Sequence, residues 1–387
     1  MTNLTAEPLP PYLSAAEIGT DAQFEAFHRR LLRCFELVFG MEASQLVMDP
    51  ITGRFARFTR ARGARHKEAQ AGTTRLTTPR EACFFCQLQT PPNLLYVNEA
   101  GEIVVPNEQH SFLAAADFLS GKDTGKVETY YGLVQHLAQY NHIEGPWLSR
   151  TFCNLTPALG RTSQLPLCLV QGIHPDYHDT EFHKLPPSVV QAVILSWQFI
   201  ERFAQEHGLL AVPFINGGKR PESGQSVACF HGQVYLFHSL PFLFQEIGRR
   251  RAEAGHCSIC QDILQGKSSE LAIWNGRSLV VLAHPVPRRT WSLLVVPKTH
   301  TADLHSIEAS EFADVLLRCV RAYERLYQRE PAYNIVVRAG DAVGHLHAEI
   351  MPKTETNIIA GAEEATDEII IDVLPQQVKE QLQPLMT

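Results

Sequence analysis

The chain has 387 residues, 45% of them hydrophobic and 19% charged, with 41 acidic side chains against 34 basic ones and a net charge of −7. This is globular composition, and its acidic balance lacks the positive footprint of a general nucleic-acid binder. No apolar run is long enough for a membrane-spanning helix, and the start MTNLTAEPLPPYLS is not a secretory signal, so a cytoplasmic protein without a membrane partner is expected.

Along the chain, Phe24, Phe27, Leu31, Phe35 and Val38 form a helical apolar stripe that stops near Gly40, the pattern of a packing helix in an N-terminal arm over 1–45. Then comes Cys83-Phe-Phe-Cys86, and after it Leu94 to Val105 reads as strand, tight turn and strand. A stretch near 107–165 contains a predicted helix from Lys126 to Tyr140. A strand at Leu167–Val170 precedes His178 and His183, and a helix is predicted from Pro187 to Phe203.

The rest of the chain repeats this order. Cys257-Ser-Ile-Cys260 is followed by a second strand, turn and strand from Glu270 to Leu282 and by a strand at Leu293–Val296. His300 and His305 then stand at the spacing of His178 and His183, before a predicted helix from Ala309 to Tyr327. Each half ends in a predicted strand: Ser226-Val-Ala-Cys229-Phe-His231-Gly-Gln233 in the first, Gly344-His345-Leu-His347-Ala-Glu349 in the second. Alternation along such strands puts Cys229, His231 and Gln233 on one face, and likewise His345, His347 and Glu349. From the first histidine to the last strand the halves are nearly equal, so the first half carries an insert near 107–165.

Nine cysteines, an odd number in a large chain, argue against a disulfide framework. The polar segment before Cys83 makes a thioredoxin-like reading of the knuckles weaker than a metal reading. A CxxC turn supplies two of the four sulfur or nitrogen donors that zinc prefers. The repeat supplies the others: Cys83, Cys86, His178 and Cys229 in the first half, Cys257, Cys260, His300 and His345 in the second. His183 and His305, which also share a register, are rivals for the third position, and counted forward from the preceding strand His174 rivals His178. With four protein donors each, such zinc ions are structural.

The loop Asn216-Gly-Gly-Lys-Arg-Pro-Glu-Ser-Gly224-Gln-Ser226 enters the last strand of the first half. Glycines admit a phosphate close to the backbone, where amides form an anion nest, and Lys219 and Arg220 add charge. The loop leads into a strand with Ser226, His231 and Gln233; His231, beside the metal, has an imidazole able to attack phosphorus, and Gln233 can donate to the developing phosphoryl charge.

These segments resemble the galactose-1-phosphate uridylyltransferase family, a duplicated branch of the histidine-triad (HIT) superfamily, over about residues 46 to 375. Its active strand, G-x-S-x-x-H-P-H-x-Q, falls on Gly224 to Gln233, with His231 as the nucleophile and Cys229 in place of the first histidine, a zinc ligand in that family. Asp49-Pro-Ile-Thr-Gly-Arg-Phe resembles its opening strand, and Arg62-Gly-Ala-Arg65 matches two arginines that contact the nucleotide. The resemblance also implies roles in substrate binding for Asn216, Gly224 and Glu363. Near Glu363 the family's lysine is Asn357 and its aromatic residue is Ala362.

The expected fold is α+β: two HIT-like halves, 46–250 and 251–387, each an antiparallel sheet flanked by helices, joined near 245–256. The resemblance implies merged sheets and a homodimer with sites at its interface. The expected activity is ping-pong nucleotidyl transfer from a nucleoside diphosphate sugar to a sugar phosphate, with zinc as cofactor. Its alternatives are an adenylyltransferase or dinucleoside polyphosphate phosphorylase using the same histidine, and a catalytically silent zinc-stabilised binding protein.

Overall fold

The computed structural model describes residues 18–37, 45–48, 50, 55–58, 76–106, 141, 143–154, 168–353 and 361–387. Arg62, Arg65, Asn357 and the helix predicted from Lys126 to Tyr140 lie outside them. Helix α1 (Asp21–Leu37) is followed by a small hairpin, β1 (Gln45–Met48) and β2 (Phe55–Phe58). The first half continues with β3 (Leu95–Asn98), β4 (Ile103–Val104), β5 (Trp147–Cys153), β6 (Cys168–Ile173), α2 (Pro187–Glu206), β7 (Leu210–Gly217) and β8 (His231–Phe237). Helix α3 (Phe242–Ala254) occupies the expected join, closed by Gly255 in a left-handed conformation at φ 68°. The second half has β9 (Ala272–Asn275), β10 (Leu279–Ala283), β11 (Leu293–Pro297), α4 (Ala309–Tyr327), β12 (Ala332–Arg338) and β13 (His347–Lys353), before α5 (Gly361–Thr366) and α6 (Pro375–Leu382).

Strands β3 to β13 form one antiparallel sheet in the order β4-β3-β5-β6-β8-β7-β12-β13-β11-β10-β9. The halves meet where β7 pairs with β12, so the two sheets are continuous. Reading outward from that seam, β8, β6, β5 and β3 match β13, β11, β10 and β9. Strand β5, which falls inside the stretch read as the insert, therefore stands where β10 stands in the other half. The extra chain lies between β3 and β5 and includes β4.

The two faces of the sheet are chemically different. One is apolar: Leu169, Ile215, Val234, Leu236, Ile335, Val337, Ala348 and Ile350 join α2 and α4 in the main core. Helix α1 docks on α2 through Phe27, whose ring meets Phe199 and Phe203 edge-on at 5.3 and 4.9 Å. Burying Val, Leu, Ile and Phe side chains stabilises the fold by about 1.5–3 kcal/mol each. The alternate residues project to the opposite face. There stand Arg150, Phe152, His231, Gln233, Asn216, Asn334, Arg338, His347 and Glu349, while α3 covers part of the seam with Phe244 packed near Leu210, Val212 and Val343. Gly232 lets β8 lie close on α2, since a Cβ there would come within 3.0 Å of Val193 and 3.1 Å of Trp197.

Candidate active site and metal centres

Both CxxC knuckles fold back onto the sheet and meet the histidines of their own half. Cys83, Cys86, His178 and Cys229 bring their donor atoms within 4.8 Å of one another, and so do Cys257, Cys260, His300 and His345. In the first cluster Cys86 Sγ lies 3.1 Å from His178 Nδ1 and 4.0 Å from Cys229 Sγ. In the second, His345 Nδ1 lies 3.3 Å from Cys257 Sγ and 3.4 Å from Cys260 Sγ, and His300 Nδ1 lies 3.4 Å from Cys260 Sγ. A tetrahedral zinc ion, bonded at about 2.3 Å to sulfur and about 2.0 Å to nitrogen, needs donors roughly 3.3–3.8 Å apart.

The outer contacts fit the same purpose. His178 Nε2–H donates to the Thr78 carbonyl at 2.5 Å and His345 Nε2–H to the Pro297 carbonyl at 3.2 Å, leaving each Nδ1 as the donor to a metal. The Cys260 amide donates to Cys257 Sγ at 3.5 Å, stabilising thiolate charge. The three thiols of the first cluster compete for protons. Hydrogen bonds from Cys229 and Cys86 pull Cys83 down to about 2, while hydrogen bonding with Cys83 and Cys86, then burial, pushes Cys229 up. A divalent cation lets all three ionise together. The donor sets therefore fit zinc, although a rigid Cys/His cluster also accepts other soft divalent ions. His174 lies apart from the cluster: its Nδ1 accepts the Asp176 amide at 3.3 Å, and its ring meets Trp147 at 4.8 Å.

Cys229 and His345 sit in bends just before β8 and β13, which begin at His231 and His347. The alternation predicted for a longer strand nevertheless persists. Phe230 turns into the core against Phe182 at 5.1 Å, and Cys229 and His231 turn to the other face. His231 Nδ1–H donates to the Cys229 carbonyl at 2.9 Å, which puts the imidazole lone pair on Nε2. The Phe85 ring of the knuckle meets His231 edge-on at 5.2 Å, so metal cluster and imidazole share a wall. Gln233 Oε1 accepts from the Cys168 thiol at 3.7 Å, which leaves its amide NH₂ as the donating end.

The loop before β8 is braced rather than open. Lys219, with φ 50°, donates its amide to Gln225 Oε1 at 2.9 Å and its Nζ to Asp179 Oδ1 at 2.7 Å. Its charge is thus engaged by a carboxylate, contrary to the expectation that it is offered to a phosphate. Gly218 answers to the seam: its φ is 86°, and a Cβ would stand 2.1 Å from the Pro331 carbonyl oxygen. Gly224 ends the short turn Pro221–Ser223 beside the Asn216 side chain, and Ser226 is half-buried just before the following bend. Asn334, on β12, donates to Asn216 Oδ1 at 2.8 Å and to the Ser223 carbonyl at 2.7 Å. The second half thereby holds the loop of the first. Glu363, on α5, accepts the Ile370 amide at 3.2 Å.

Sequence reasoning missed Asn334 and Arg150. Nothing local marks Asn334. Arg150 does leave a signal, as the one charged residue within the strand Trp147–Cys153.

Comparison with known proteins agrees with this architecture. Residues 266–356 match the HIT domain family. The galactose-1-phosphate uridylyltransferase of Thermotoga maritima is 25% identical over 223 residues, 53% of this chain and 70% of that protein. A GALT-like protein from Arabidopsis thaliana superposes with a TM-score of 0.56 at 18% identity, covering 88% of this chain and 99% of its own. An ADP-glucose phosphorylase from Arabidopsis thaliana, solved with ADP-glucose bound, superposes with the same TM-score, identity and coverage. No helix among the described residues is long and apolar enough to cross a membrane. The duplicated sheet, the HIT match over residues 266–356 and the uridylyltransferase relative agree: the chain is similar to galactose-1-phosphate uridylyltransferase and to proteins with a HIT domain.

Proposed function

We propose that the chain is a nucleotidyltransferase working through a covalent nucleotidyl-histidine at His231. The observation that carries this reading is the locked imidazole: its Nδ1–H is held by the Cys229 carbonyl at 2.9 Å, so Nε2 is the nucleophilic nitrogen. The Nε2 lone pair attacks the α-phosphorus of a nucleoside diphosphate sugar. The bond from that phosphorus to the bridging oxygen breaks, and the sugar phosphate leaves with the electron pair. In the second step a phosphate oxygen of the acceptor attacks the same phosphorus, and the N–P pair returns to the imidazole. The Cys229 carbonyl stabilises the imidazolium character of the adduct through Nδ1–H. The Gln233 amide donates to a phosphoryl oxygen as its charge develops.

Ser226, Asn216 and Gly224 line the loop on the phosphate side, Arg62 and Arg65 hold the nucleotide, and Glu363 faces the sugar. Zinc bound at the two clusters supplies structural cross-links and no acid–base chemistry. The working unit is a cytoplasmic homodimer with halves at 46–250 and 251–387. Asn357 and Ala362, in place of the lysine and aromatic residue that the family resemblance leads one to expect, favour a second reading of the acceptor. In it, inorganic phosphate or an adenylylated donor replaces the hexose phosphate pair.

Intact-mass spectrometry after incubation with UDP-glucose, UDP-galactose, ADP-glucose and ATP in turn tests the proposal. One donor is expected to add a nucleoside monophosphate that is acid-labile, base-stable and located at His231. The base in the adduct identifies the donor, and release of the adduct by hexose 1-phosphate or by inorganic phosphate separates the two readings of the acceptor. No adduct with any donor favours the silent binding protein.

A further inference from the structure

Arg150 is buried in β5 with 1% of its surface exposed. Its Nη1 donates to Thr90 Oγ1 at 2.8 Å and Asn93 Oδ1 at 3.0 Å, its Nη2 donates to the Phe85 carbonyl at 2.9 Å, and its guanidinium lies over the Phe152 ring at 4.6 Å. Every one of these partners is neutral. A buried cation surrounded by neutral groups is costly unless an opposite charge lies near. The nearby groups that favour its charged form, against the cost of burial, are Cys229, Cys86 and Cys83.

The strand register turns this into a comparison. Arg150 pairs with Gly172 of β6, and Gly172 pairs with His231 of β8. In the other half, Val280 pairs with Val296 of β11, and continuing the β11–β13 register sets Val296 beside His347. Val280 thus holds the position of Arg150, and His345 holds that of Cys229. The half with a third thiol has the buried arginine, and the half with an imidazole in its place has a valine. The charges follow this exchange. Three thiolates, one imidazole and a divalent ion sum to −1, whereas two thiolates, two imidazoles and a divalent ion sum to zero.

We propose that Arg150 is the internal counter-charge of the Cys83–Cys86–His178–Cys229 metal centre, required because Cys229 makes that centre anionic. This rests on reading the cluster as a zinc centre. Arg150 also acts as a positioning residue: through the Phe85 carbonyl it fixes the knuckle whose ring walls His231.

A double-mutant cycle on the full chain tests the coupling, using Arg150→Met, Cys229→His and both together. The readouts are zinc per chain by elemental analysis and the rate of zinc release to a chromogenic chelator. With Cys229 present, Arg150→Met is expected to speed release of one equivalent by on the order of tenfold or more, because it leaves a buried anionic centre unpaired. With Cys229→His, which makes the centre neutral, the same change is expected to alter release by about twofold at most. Equal acceleration in both backgrounds, or misfolding in both alike, overturns the proposal and leaves Arg150 a hydrogen-bonding clamp. Misfolding of Arg150→Met that is rescued by Cys229→His supports it. A wild-type chain that takes up no zinc overturns the metal reading, and this proposal with it. A zinc-loaded chain with no coupling overturns the role of Arg150 alone.

Discussion

The two halves set the same imidazole in the same way and surround it differently. His231 Nδ1 is tied to the carbonyl two residues back at 2.9 Å, and His347 Nδ1 is tied to its counterpart at 3.0 Å. Two residues further on, the first strand has Gln233 and the second has Glu349. Glu349 is closed into an ion cluster, with Arg338 Nη1 at 2.6 Å and His284 Nε2 at 3.8 Å. Although burial opposes it, His284 and Arg338 hold the Glu349 carboxyl down at about 2. Burial, then Arg338, holds His347 down at about 4. Imidazole orientation is therefore not what separates the halves. One half offers a neutral amide where, in the proposed reaction, phosphoryl charge would develop, and the other has an ionised carboxyl already engaged by Arg338.

The largest effect is expected from deleting the imidazoles in turn. His231→Gly should abolish the covalent adduct and lower transfer by about 10⁴-fold or more, the scale of losing a nucleophile. His347→Gly should leave labelling of His231 within about twofold, since it touches no reacting atom. Peptide mapping that finds the nucleotide on His347 in the wild-type chain would break the contrast between the halves.

Exchanging the neighbours sharpens it. Gln233→Glu should cut transfer by roughly 10²–10³-fold, the cost of replacing a donor aimed at a developing oxyanion. Glu349→Gln should leave transfer nearly unchanged but expose Arg338 as an unpaired buried cation, a destabilisation of about 3 kcal/mol in denaturant unfolding. Steady-state rates for the first and unfolding curves for the second check the pair. A Gln233→Glu enzyme with wild-type rate would show that the amide is incidental.

The smallest effect concerns a contact across the halves. His305, in the loop before α4, places Nδ1 2.7 Å from Glu201 Oε2 on α2. That hydrogen bond, against the pull of burial, raises the His305 pKa above 6.5. A raised histidine pKa contributes stability that is complete below the unfolded value and is lost as pH rises through the folded one. The melting temperature of the wild type should therefore fall more steeply than that of His305→Gln as pH rises above about 6.5, the ordinary histidine value. Parallel curves would show that the pair contributes nothing through protonation.

Much of this was legible in the sequence because it is local. The helix from Ala309 to Tyr327 was readable at both ends from its apolar period, and the second helix at its Pro187 start. Both hairpins and both knuckles followed from turn chemistry and cysteine spacing. What was not legible depends on pairings between distant segments. Strand β5 lies beyond an insertion that hides its kinship with β10. Asn334 and Asn216 meet only because β12 lies beside β7, and the engagement of Lys219 by Asp179 depends on how the loop folds. The observed strand begins at His231 rather than at Ser226, because alternation of faces continues into a bend that has left the hydrogen-bond ladder.

The β7–β12 seam also bears on how the chain reaches its fold. During synthesis the first half emerges with the whole inner edge of β7 unpaired, and its partner strand is made only after α3, β9, β10, β11 and α4. An exposed strand edge is a template for any chain that can pair with it, including β12 of a neighbouring copy. Loop-closure entropy delays so distant a pairing, so closure of the seam is expected to be a late event in folding. Concentrated refolding would then produce domain-swapped dimers in which each copy's β12 completes the other's sheet.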